Sequence, residues 1–255
     1  SITEEQLNLL EIDFTVMSSN IEESKSQIEN TIRDIKISNK PKALIIRKNT
    51  FSKFTKKNTK SKSNLYLIRE NCIEIILKNL TNDDIIVSTT GKTSRELNEK
   101  AENSAKPYFM SIGGMGHVSQ IALGISENSD KRVFCFDGDG SILMHMGGLA
   151  TIAERQNNNF FHIVFDNEAH ESVGGQKTIS YNIDFEKFSK SIGYKNYFII
   201  KDYSDFDYVF KSFKSFKTGP TFIHIKVKSQ SRDELSRPLF SPKEHKLNFK
   251  RYFVN

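Results

Sequence analysis

The sequence lacks tryptophan, has only two cysteines and contains no apolar run of eighteen residues. Cys72 and Cys135 each lie inside an apolar stretch and do not have the spacing of metal ligands. We therefore expect them to be small core residues of a protein in a reducing compartment, and not a disulfide. Because the sequence has neither a membrane-length apolar run nor a secretory signal pattern, we expect a cytoplasmic protein with no membrane partner.

Acidic residues are too few to balance the basic ones, and the formal net charge is +6 at pH 7. Several lysines fall in residues 53–64, "KFTKKNTKSKSN". This segment lacks the regular interleaving of aromatic and basic side chains that is typical of nucleic-acid binding. We interpret it as a solvated linker and expect no nucleic-acid partner. A positively charged surface also favours small anionic ligands.

The linker divides the sequence into a short N-terminal piece and a long C-terminal domain. Residues 1–52 show a strand–helix–strand pattern at 13–17, 22–37 and 42–49, which is too small to enclose a core alone. In residues 65–255, helices are predicted at 65–80, 94–100, 115–125, 141–156 and 242–252. Apolar runs between them predict strands at 84–89, 107–112, 131–138, 160–167, 196–201 and 221–227. This alternation predicts an α/β fold with a doubly wound parallel sheet, which binds ligands beyond the carboxyl ends of its strands.

The stretch "FDGDGSILMHMGG" ends a predicted strand and begins a helix at once. Asp139 lies between Gly138 and Gly140, and the helix predicted from Ser141 would point its free N–H groups into the same space. Such a helix start can bind a phosphate group, and the Asp139 carboxylate can bind Mg²⁺. A tight strand-to-helix turn without a ligand is the alternative interpretation.

A second polar strand end follows in "DNEAH", residues 166–170. One helix and one strand separate the two motifs, so Asn167 is expected to end the neighbouring strand at the same edge of the sheet as Asp139. The side-chain oxygen of Asn167 and nearby backbone carbonyls can then complete an oxygen cage around one ion.

The sequence has Gly-Asp-Gly, then about twenty-five residues, then Asn167 at a predicted strand end. This spacing resembles the thiamine-diphosphate motif of the decarboxylase and acetolactate-synthase superfamily. The resemblance implies the thiamine-diphosphate-binding fold and the cofactors thiamine diphosphate and Mg²⁺. It implies that Asp139, Asn167 and the backbone carbonyl of Ala169 ligate Mg²⁺. The superfamily often has Asn where this sequence has Asp166, a change that removes no ligand. The residues of these motifs expected at the cofactor are Gly138, Asp139, Gly140, Ser141 and Asn167.

Two earlier loops resemble the same superfamily. "STTGKTSREL" resembles its first diphosphate loop, which implies that residues Thr90, Gly91 and Lys92 lie near the phosphates. "SIGGMGHVSQIALG" resembles its Gly-rich turn, where Gly113 would let the backbone approach the aminopyrimidine ring and Met115 would prop the cofactor in a bent shape. Ordinary core packing is the alternative role for Met115.

Together with "GDGSILMHMGGLATI" and "DNEAHESVGGQKT", these stretches resemble the 3-phosphonopyruvate decarboxylases, with the sulfopyruvate decarboxylases as the nearest relatives. The resemblance implies decarboxylation of 3-phosphonopyruvate to phosphonoacetaldehyde and CO₂, in phosphonate biosynthesis. It implies that residues 1–52 end a pyrimidine-binding domain and that residues 65–255 form the diphosphate-binding domain. The glutamate of the pyrimidine-binding domain must then come from elsewhere. We expect this chain to be inactive alone and to act in a homo- or hetero-oligomer, a dimer or larger.

Basic side chains are the candidates for handling a small anionic 2-keto acid. His117 and His170 are predicted to be catalytic because their loops border the expected cofactor, and Arg95 and His145 are predicted to contact substrate. Alternatively, Arg95 pairs with Glu99 on its own helix, and His145 is buried inside a helix.

Two other functions stay open, namely a sulfopyruvate decarboxylase subunit and a non-catalytic thiamine-diphosphate-binding module. Simple pyruvate decarboxylases carry an acidic residue shortly after the metal-binding Asn. Its absence at Val173 argues against pyruvate as the substrate.

Overall fold

The structure is a computed structural model that describes residues 2–52, 67–102, 104–213, 216–229 and 231–253. The chain divides into two compact units, Ser1–Ser61 and Lys62–Asn255. The predicted linker at 53–64 and the predicted helix start at residue 65 lie outside the described residues.

The first unit contains the strand–helix–strand arrangement that the sequence predicts. Its elements are α1 (Ile2–Leu9), β1 (Asp13–Val16), α2 (Ile21–Ser38) and β2 (Lys42–Ile45), and the two strands pair in parallel. Helix α1 was not predicted. Asn20 caps α2, because its side chain accepts hydrogen bonds from the backbone N–H groups of Glu22 and Glu23. Among the described residues of this unit only Met17 is buried, so the unit has almost no core of its own.

The second unit alternates helices and strands along the chain. Its helices are α3 (Arg69–Asn79), α4 (Lys92–Ala101), α5 (Val118–Glu127), α6 (Asp139–Met144), α7 (Gly148–Arg155), α8 (Phe185–Ile192), α9 (Asp205–Ser212) and α10 (Pro242–Lys250). Its strands are β3 (Ile85–Ser88), β4 (Tyr108–Met110), β5 (Val133–Gly138), β6 (Phe160–Asp166), β7 (Ala169–His170), β8 (Gln176–Lys177), β9 (Asn196–Ile200) and β10 (Thr221–Lys226). A small antiparallel pair, β7–β8, follows β6 and was not predicted, because two-residue strands leave no periodic pattern.

Six strands form one parallel sheet in the order β4-β3-β5-β6-β10-β9. The chain leaves β3 toward one edge of the sheet, where β4 lies, and leaves β5 toward the other, where β6 lies. The winding direction therefore reverses between the neighbouring strands β3 and β5. In open parallel sheets such a reversal opens a crevice at the carboxyl ends of the two strands, and ligands bind there.

Helices cover both faces of this sheet, as the continuous apolar strands predict. Along β5, Phe134 and Phe136 point into one core with α3, α4 and α9, whereas Val133 and Cys135 point into another with α5, α7 and α8. The Phe134 ring stacks on Phe161 of β6, with 4.7 Å between the ring centroids. This two-sided packing confirms the predicted doubly wound α/β fold.

The helix predicted at 141–156 is in fact two helices, α6 and α7, with a break around His145. Beside the break, Gln120 of α5 donates a hydrogen bond to the carbonyl of Gly148 at 2.9 Å. A Cβ atom on Gly148 would lie only 2.6 Å from the Gln120 side-chain nitrogen, so a larger residue there would require the Gln120 side chain to move. Glycine also favours interruption of a helix because it has a low helix propensity. The predicted burial of His145 inside a helix is therefore wrong, and its side chain is exposed.

The helix predicted at 115–125 begins only at Val118. Gly113 and Gly116 have φ angles of +78° and +86°, a left-handed conformation that glycine adopts without strain and that keeps this turn out of the helix.

Cys72 and Cys135 are buried free thiols, as predicted. Burial raises the pKa of Cys72 to about 12, so this thiol is protonated and unreactive at neutral pH. Across the described residues, no helix has the length and apolar character needed to cross a bilayer.

Candidate functional site

The loops that follow β3, β5 and β6 surround one pocket at the carboxyl edge of the sheet. The pocket lies where the winding direction reverses, as the fold predicts. Eleven of the residues predicted from sequence line it, namely Thr90, Gly91, Lys92, Met115, Gly138, Asp139, Gly140, Ser141, Asn167, Ala169 and His170.

Asp139 occupies the floor of this pocket and is 2% exposed. Thr178 donates a hydrogen bond to its Oδ2 at 2.5 Å. Burial raises the pKa of Asp139, and the neighbouring negative charge of Asp166 adds to the effect. Within the described part of the chain, Asp139 forms no ion pair with a basic side chain. Its carboxylate is therefore a buried charge without a counter-ion.

Asp166 ends the next strand and is fully buried, but its charge is compensated. Its Oδ2 lies 2.7 Å from Lys226 Nζ and 2.8 Å from His224 Nε2. Ser180 donates a further hydrogen bond to its Oδ1. Burial alone would raise the pKa of Asp166, but His224 and Lys226 lower it to about 2. This pairing explains why a carboxylate stands at a position where the superfamily often has Asn.

Asn167 and Ala169 follow Asp166 in a sharp turn, in which Glu168 has a φ of +56°. The Asn167 side-chain oxygen accepts a hydrogen bond from the Ala169 backbone N–H at 3.1 Å, and both residues line the pocket. A carboxylate, an amide oxygen and a backbone carbonyl are the hard oxygen donors that Mg²⁺ prefers. Together with the unpaired charge of Asp139, this donor set fits a divalent cation.

Helix α4 begins at the pocket and presents its first backbone N–H groups there, since Gly91, Lys92 and Thr93 all line it. Gly91 precedes the helix with a φ of +96°, a conformation that favours glycine. The positive end of the helix and the Lys92 side chain fit the negative charge of a diphosphate.

The Ser141 hydroxyl lies between the loops rather than at their surface. It accepts hydrogen bonds from the Thr89 hydroxyl and from the Gly116 backbone N–H, each at 3.1 Å. Ser141 is 2% exposed, so it ties the β3 loop, the Gly-rich turn and the start of α6 together.

Met115 and His170 form the wall above Gly140. A Cβ atom on Gly140 would lie 2.8 Å from His170 Nδ1 and 3.6 Å from the terminal methyl carbon of Met115. The pocket can therefore have this shape only with glycine next to Asp139. Met115 is not part of either hydrophobic core, unlike the packing role considered for it.

The other four predicted residues do not line the pocket. His117 and His145 are exposed and lie beside Gly116, with 4.3 Å between their ring centroids and a tilt of 46° between the ring planes. Gly113 lies in an open turn with free space around its Cα atom. Arg95 is half-buried on α4, while Glu99, its alternative partner, contacts Arg232 and Ser236 instead.

Sequence reasoning missed Arg69 and Glu171, which also line the pocket. Arg69 forms a two-pronged ion pair with Glu96 of α4, at 2.7 and 2.9 Å, and also contacts Glu171 at 3.1 Å. Glu171 lies four residues after Asn167, in the stretch "DNEAHESVGGQKT". This position was the sequence signal that could have placed Glu171 at the pocket. Nothing local in the sequence marks Arg69, because its contact with Glu171 spans 102 residues.

A separate group of possible metal ligands, Cys135, Asp137 and His162, lies within the core. Both ring nitrogens of His162 already have partners, namely the Tyr194 hydroxyl at 3.1 Å and Asp137 at 3.3 Å. Burial raises the pKa of the Cys135 thiol well above its usual value. These groups therefore form a satisfied internal polar network that is distinct from the pocket.

We expect Asp166→Asn to lower the free energy of unfolding by about 2.5 kcal/mol at pH 7, because the shift of its pKa from 3.8 to about 2 is lost. The folded pKa lies below the unfolded one, so this stabilisation is complete above about pH 4 and disappears as the pH falls toward 2. Urea denaturation of both proteins from pH 7 downward measures it. Equal stability at pH 7 would contradict the assigned ion pair.

Residues 89–225, more than half of the chain, match the family described as "Thiamine pyrophosphate enzyme, C-terminal TPP binding domain". Among solved structures, the fold resembles a Mycobacterium smegmatis protein described as thiamin diphosphate-dependent, with a TM-score of 0.54 and 18% identity over 64% of this chain and 32% of that chain.

Similar curated proteins fall into two groups. Phosphonopyruvate decarboxylase of Streptomyces viridochromogenes is 33% identical over 180 residues, 71% of this chain and 45% of that protein. Sulfopyruvate decarboxylase subunit beta of Methanothermobacter thermautotrophicus is 33% identical over 151 residues, 59% of this chain and 77% of that subunit. The chain thus spans less than half of the Streptomyces relative but most of the archaeal subunit. By its matched residues and its fold, the chain belongs to the thiamine pyrophosphate enzymes, as a member of their C-terminal TPP binding domain family.

Proposed function

We propose that this chain holds thiamine diphosphate through Mg²⁺ in the pocket at the sheet edge and serves the decarboxylation of 3-phosphonopyruvate to phosphonoacetaldehyde and CO₂. We further propose that the reaction is a step of phosphonate biosynthesis. The observation that carries the proposal is the buried carboxylate of Asp139, which has no ion pair in the described residues and lies in a pocket with Asn167. A divalent cation supplies the missing positive charge.

Bound thiamine diphosphate supplies a nucleophilic carbon and an electron sink for the loss of CO₂. In this proposal Asp139, Asn167 and the Ala169 carbonyl hold Mg²⁺. The start of α4 and Lys92 hold the diphosphate. Met115, whose methyl group lies over Gly140, supports the rest of the cofactor.

Basic groups near the pocket suit a small anionic 2-keto acid. His170 lines the pocket itself and can donate or accept a proton near the reacting atoms. The neighbouring rings of His117 and His145 border the Gly-rich turn and can bind the anionic end of the substrate, with Arg95 as a further candidate. A phosphonate, like a phosphate monoester, carries close to two negative charges at neutral pH, whereas a sulfonate carries one.

We also propose that the active site is completed by a pyrimidine-binding domain or subunit that supplies the cofactor-contacting glutamate. The first unit supports this view. Its described residues bury only Met17, and Ile28, Ile32 and Ile35 form an exposed apolar stripe on α2. Such a stripe at helical spacing is typical of a face that packs against further structure. The resulting assembly is a homo- or hetero-oligomer of at least two chains.

A sulfopyruvate decarboxylase subunit is the second candidate. The observation in its favour is the coverage of 77% of an archaeal beta subunit, at the same 33% identity found with the phosphonopyruvate decarboxylase.

A rate comparison tests the proposed function. The complete protein, or this chain combined with its pyrimidine-binding partner, is assayed for CO₂ release with Mg²⁺ and thiamine diphosphate. We expect kcat/KM for 3-phosphonopyruvate to exceed that for sulfopyruvate by roughly tenfold or more, a difference of about 1.4 kcal/mol from the extra substrate charge. Faster turnover of sulfopyruvate would favour the second candidate. Cofactor binding without turnover of either acid would favour a non-catalytic module.

We expect Asp139→Asn to raise the melting temperature of the cofactor-free protein at pH 7, because the amide needs no counter-ion. The pKa of Asp139 is raised, so its destabilising charge is fully present above the folded pKa and disappears as the pH falls below 3.8. The melting-temperature difference should therefore shrink in acid. The same variant should bind Mg²⁺ at least about 100-fold more weakly.

Asp84→Asn is the matched control, since Asp84 is a buried carboxylate paired with Arg132 at 2.6 Å. That variant should lose stability and keep its response to Mg²⁺. An Asp139→Asn protein that is less stable than the wild type would contradict the proposed cation site.

We expect His145→Gln to raise KM for the anionic keto acid by roughly tenfold with little change in kcat, because a charge-assisted contact to the substrate is lost. Steady-state kinetics measures both constants. Arg155→Gln is the control, since this exposed cation near the end of α7 pairs with Glu127 and not with the pocket. A fall in kcat at constant KM would instead assign His145 to the chemical step.

A further inference from the structure

Glu171 lies in the pocket, and each hydrogen bond that its carboxylate makes within the described residues comes from a donor. Oε2 accepts from Arg69 and from the Asn167 side-chain nitrogen, each at 3.1 Å, and Oε1 accepts from the Ser231 backbone N–H. The Arg69 guanidinium and the Ser231 backbone N–H can only donate. Both carboxylate oxygens of Glu171 therefore act as acceptors in this arrangement.

The Asn167 side-chain amide has two hydrogen-bonding neighbours, one that accepts and one that donates. Glu171 Oε2 accepts from Arg69 and also faces the Asn167 side chain, so it takes the NH₂ group of Asn167 as its second donor. The backbone N–H of Ala169 can only donate, so it must face the oxygen, at 3.1 Å. Both partners require the same orientation of the amide. Asn167 is thus fixed with a defined oxygen, which keeps one lone pair for another ligand.

Glu171 is itself held by a buried charge cluster. Arg69 at the start of α3 is 7% exposed in its side chain and Glu96 of α4 is 2% exposed, and the two form a bidentate pair. Buried pairs of this geometry keep their side chains in one rotamer. The orientation of Asn167 is therefore linked through Glu171 and Arg69 to the packing of two helices.

We propose that Glu171 is a positioning residue that sets the oxygen of Asn167 toward the bound Mg²⁺, with Arg69 as its support. This inference rests on the proposed function, because it concerns the same cation. Without Glu171 the amide would have one partner instead of two and could present NH₂ to the metal, which repels it. Partners that orient metal ligands are typically worth 10–100-fold in metal affinity.

The test measures Mg²⁺ binding by calorimetry on the complete protein with saturating thiamine diphosphate. We expect Glu171→Gln to weaken Mg²⁺ binding by about 10–100-fold, because a glutamine can present its own NH₂ group to Asn167. Glu168→Gln is the matched control. It removes the same charge in the same loop, where Glu168 pairs with Lys226 at 3.1 Å and does not hydrogen-bond Asn167. Its effect should stay within about twofold, since the Glu168 side chain is 42% exposed and partly exposed pairs contribute little.

Testing Glu171→Gln in an Asn167→Asp protein distinguishes loss of the amide orientation from loss of folding. With Asn167→Asp both side-chain atoms at this position are oxygens, so the orientation no longer matters. We expect Glu171→Gln to leave Mg²⁺ affinity unchanged or to improve it in that background, since two facing carboxylates repel. A general loss of folding would lower affinity equally in both backgrounds.

Equal losses for Glu171→Gln and Glu168→Gln, or equal losses of Glu171→Gln in both backgrounds, would overturn the positioning role and leave the proposed function intact. Absence of saturable Mg²⁺ binding by the unsubstituted protein would overturn the proposed function and, with it, this inference.

Discussion

The pocket depends on a difference between two buried carboxylates at neighbouring strand ends: one is paired with basic side chains and the other is not. Asp166 contacts Lys226 and His224, whereas the partners of Asp139 in the described part of the chain are the Thr178 hydroxyl and other neutral donors. Burying a charge without a partner costs several kcal/mol. An unpaired buried carboxylate is therefore typical of a site where a bound cation supplies the missing positive charge. The difference between these two aspartates is the observation on which the proposed cation site rests.

The fold explains why this edge collects so many polar groups. The carboxyl ends of β3, β5 and β6 lie side by side, and the chain leaves β3 and β5 in opposite directions. Loops that diverge leave a space between them, and helix α4 directs its N-terminus into that space. Glycines at positions 91 and 140 keep the space open. Distant parts of the chain are thus brought together by strand order alone.

Periodicity predicted the sheet and both helical layers, and the rule that strand ends meet at one edge placed Asp139 and Asn167 together. The diphosphate-loop residues and Met115 were expected only from the resemblance to thiamine-diphosphate enzymes. Predictions were wrong or incomplete where contacts between residues far apart in the sequence determine the structure. Gln120 hydrogen-bonds the Gly148 carbonyl beside the point where the predicted helix divides, and this contact has no local pattern. Arg69 and Glu171 are likewise far apart in sequence, so only the folded chain places them at the pocket.

The buried hydroxyl of Ser141 has a kinetic consequence. By bonding to Thr89 and to Gly116, it joins three loops into one rigid frame before any ligand arrives. A preorganised frame loses little conformational entropy when it is filled, so more of the contact energy appears as affinity. Release of the cofactor then requires breaking its contacts without help from loop fluctuations, which favours long residence on the protein.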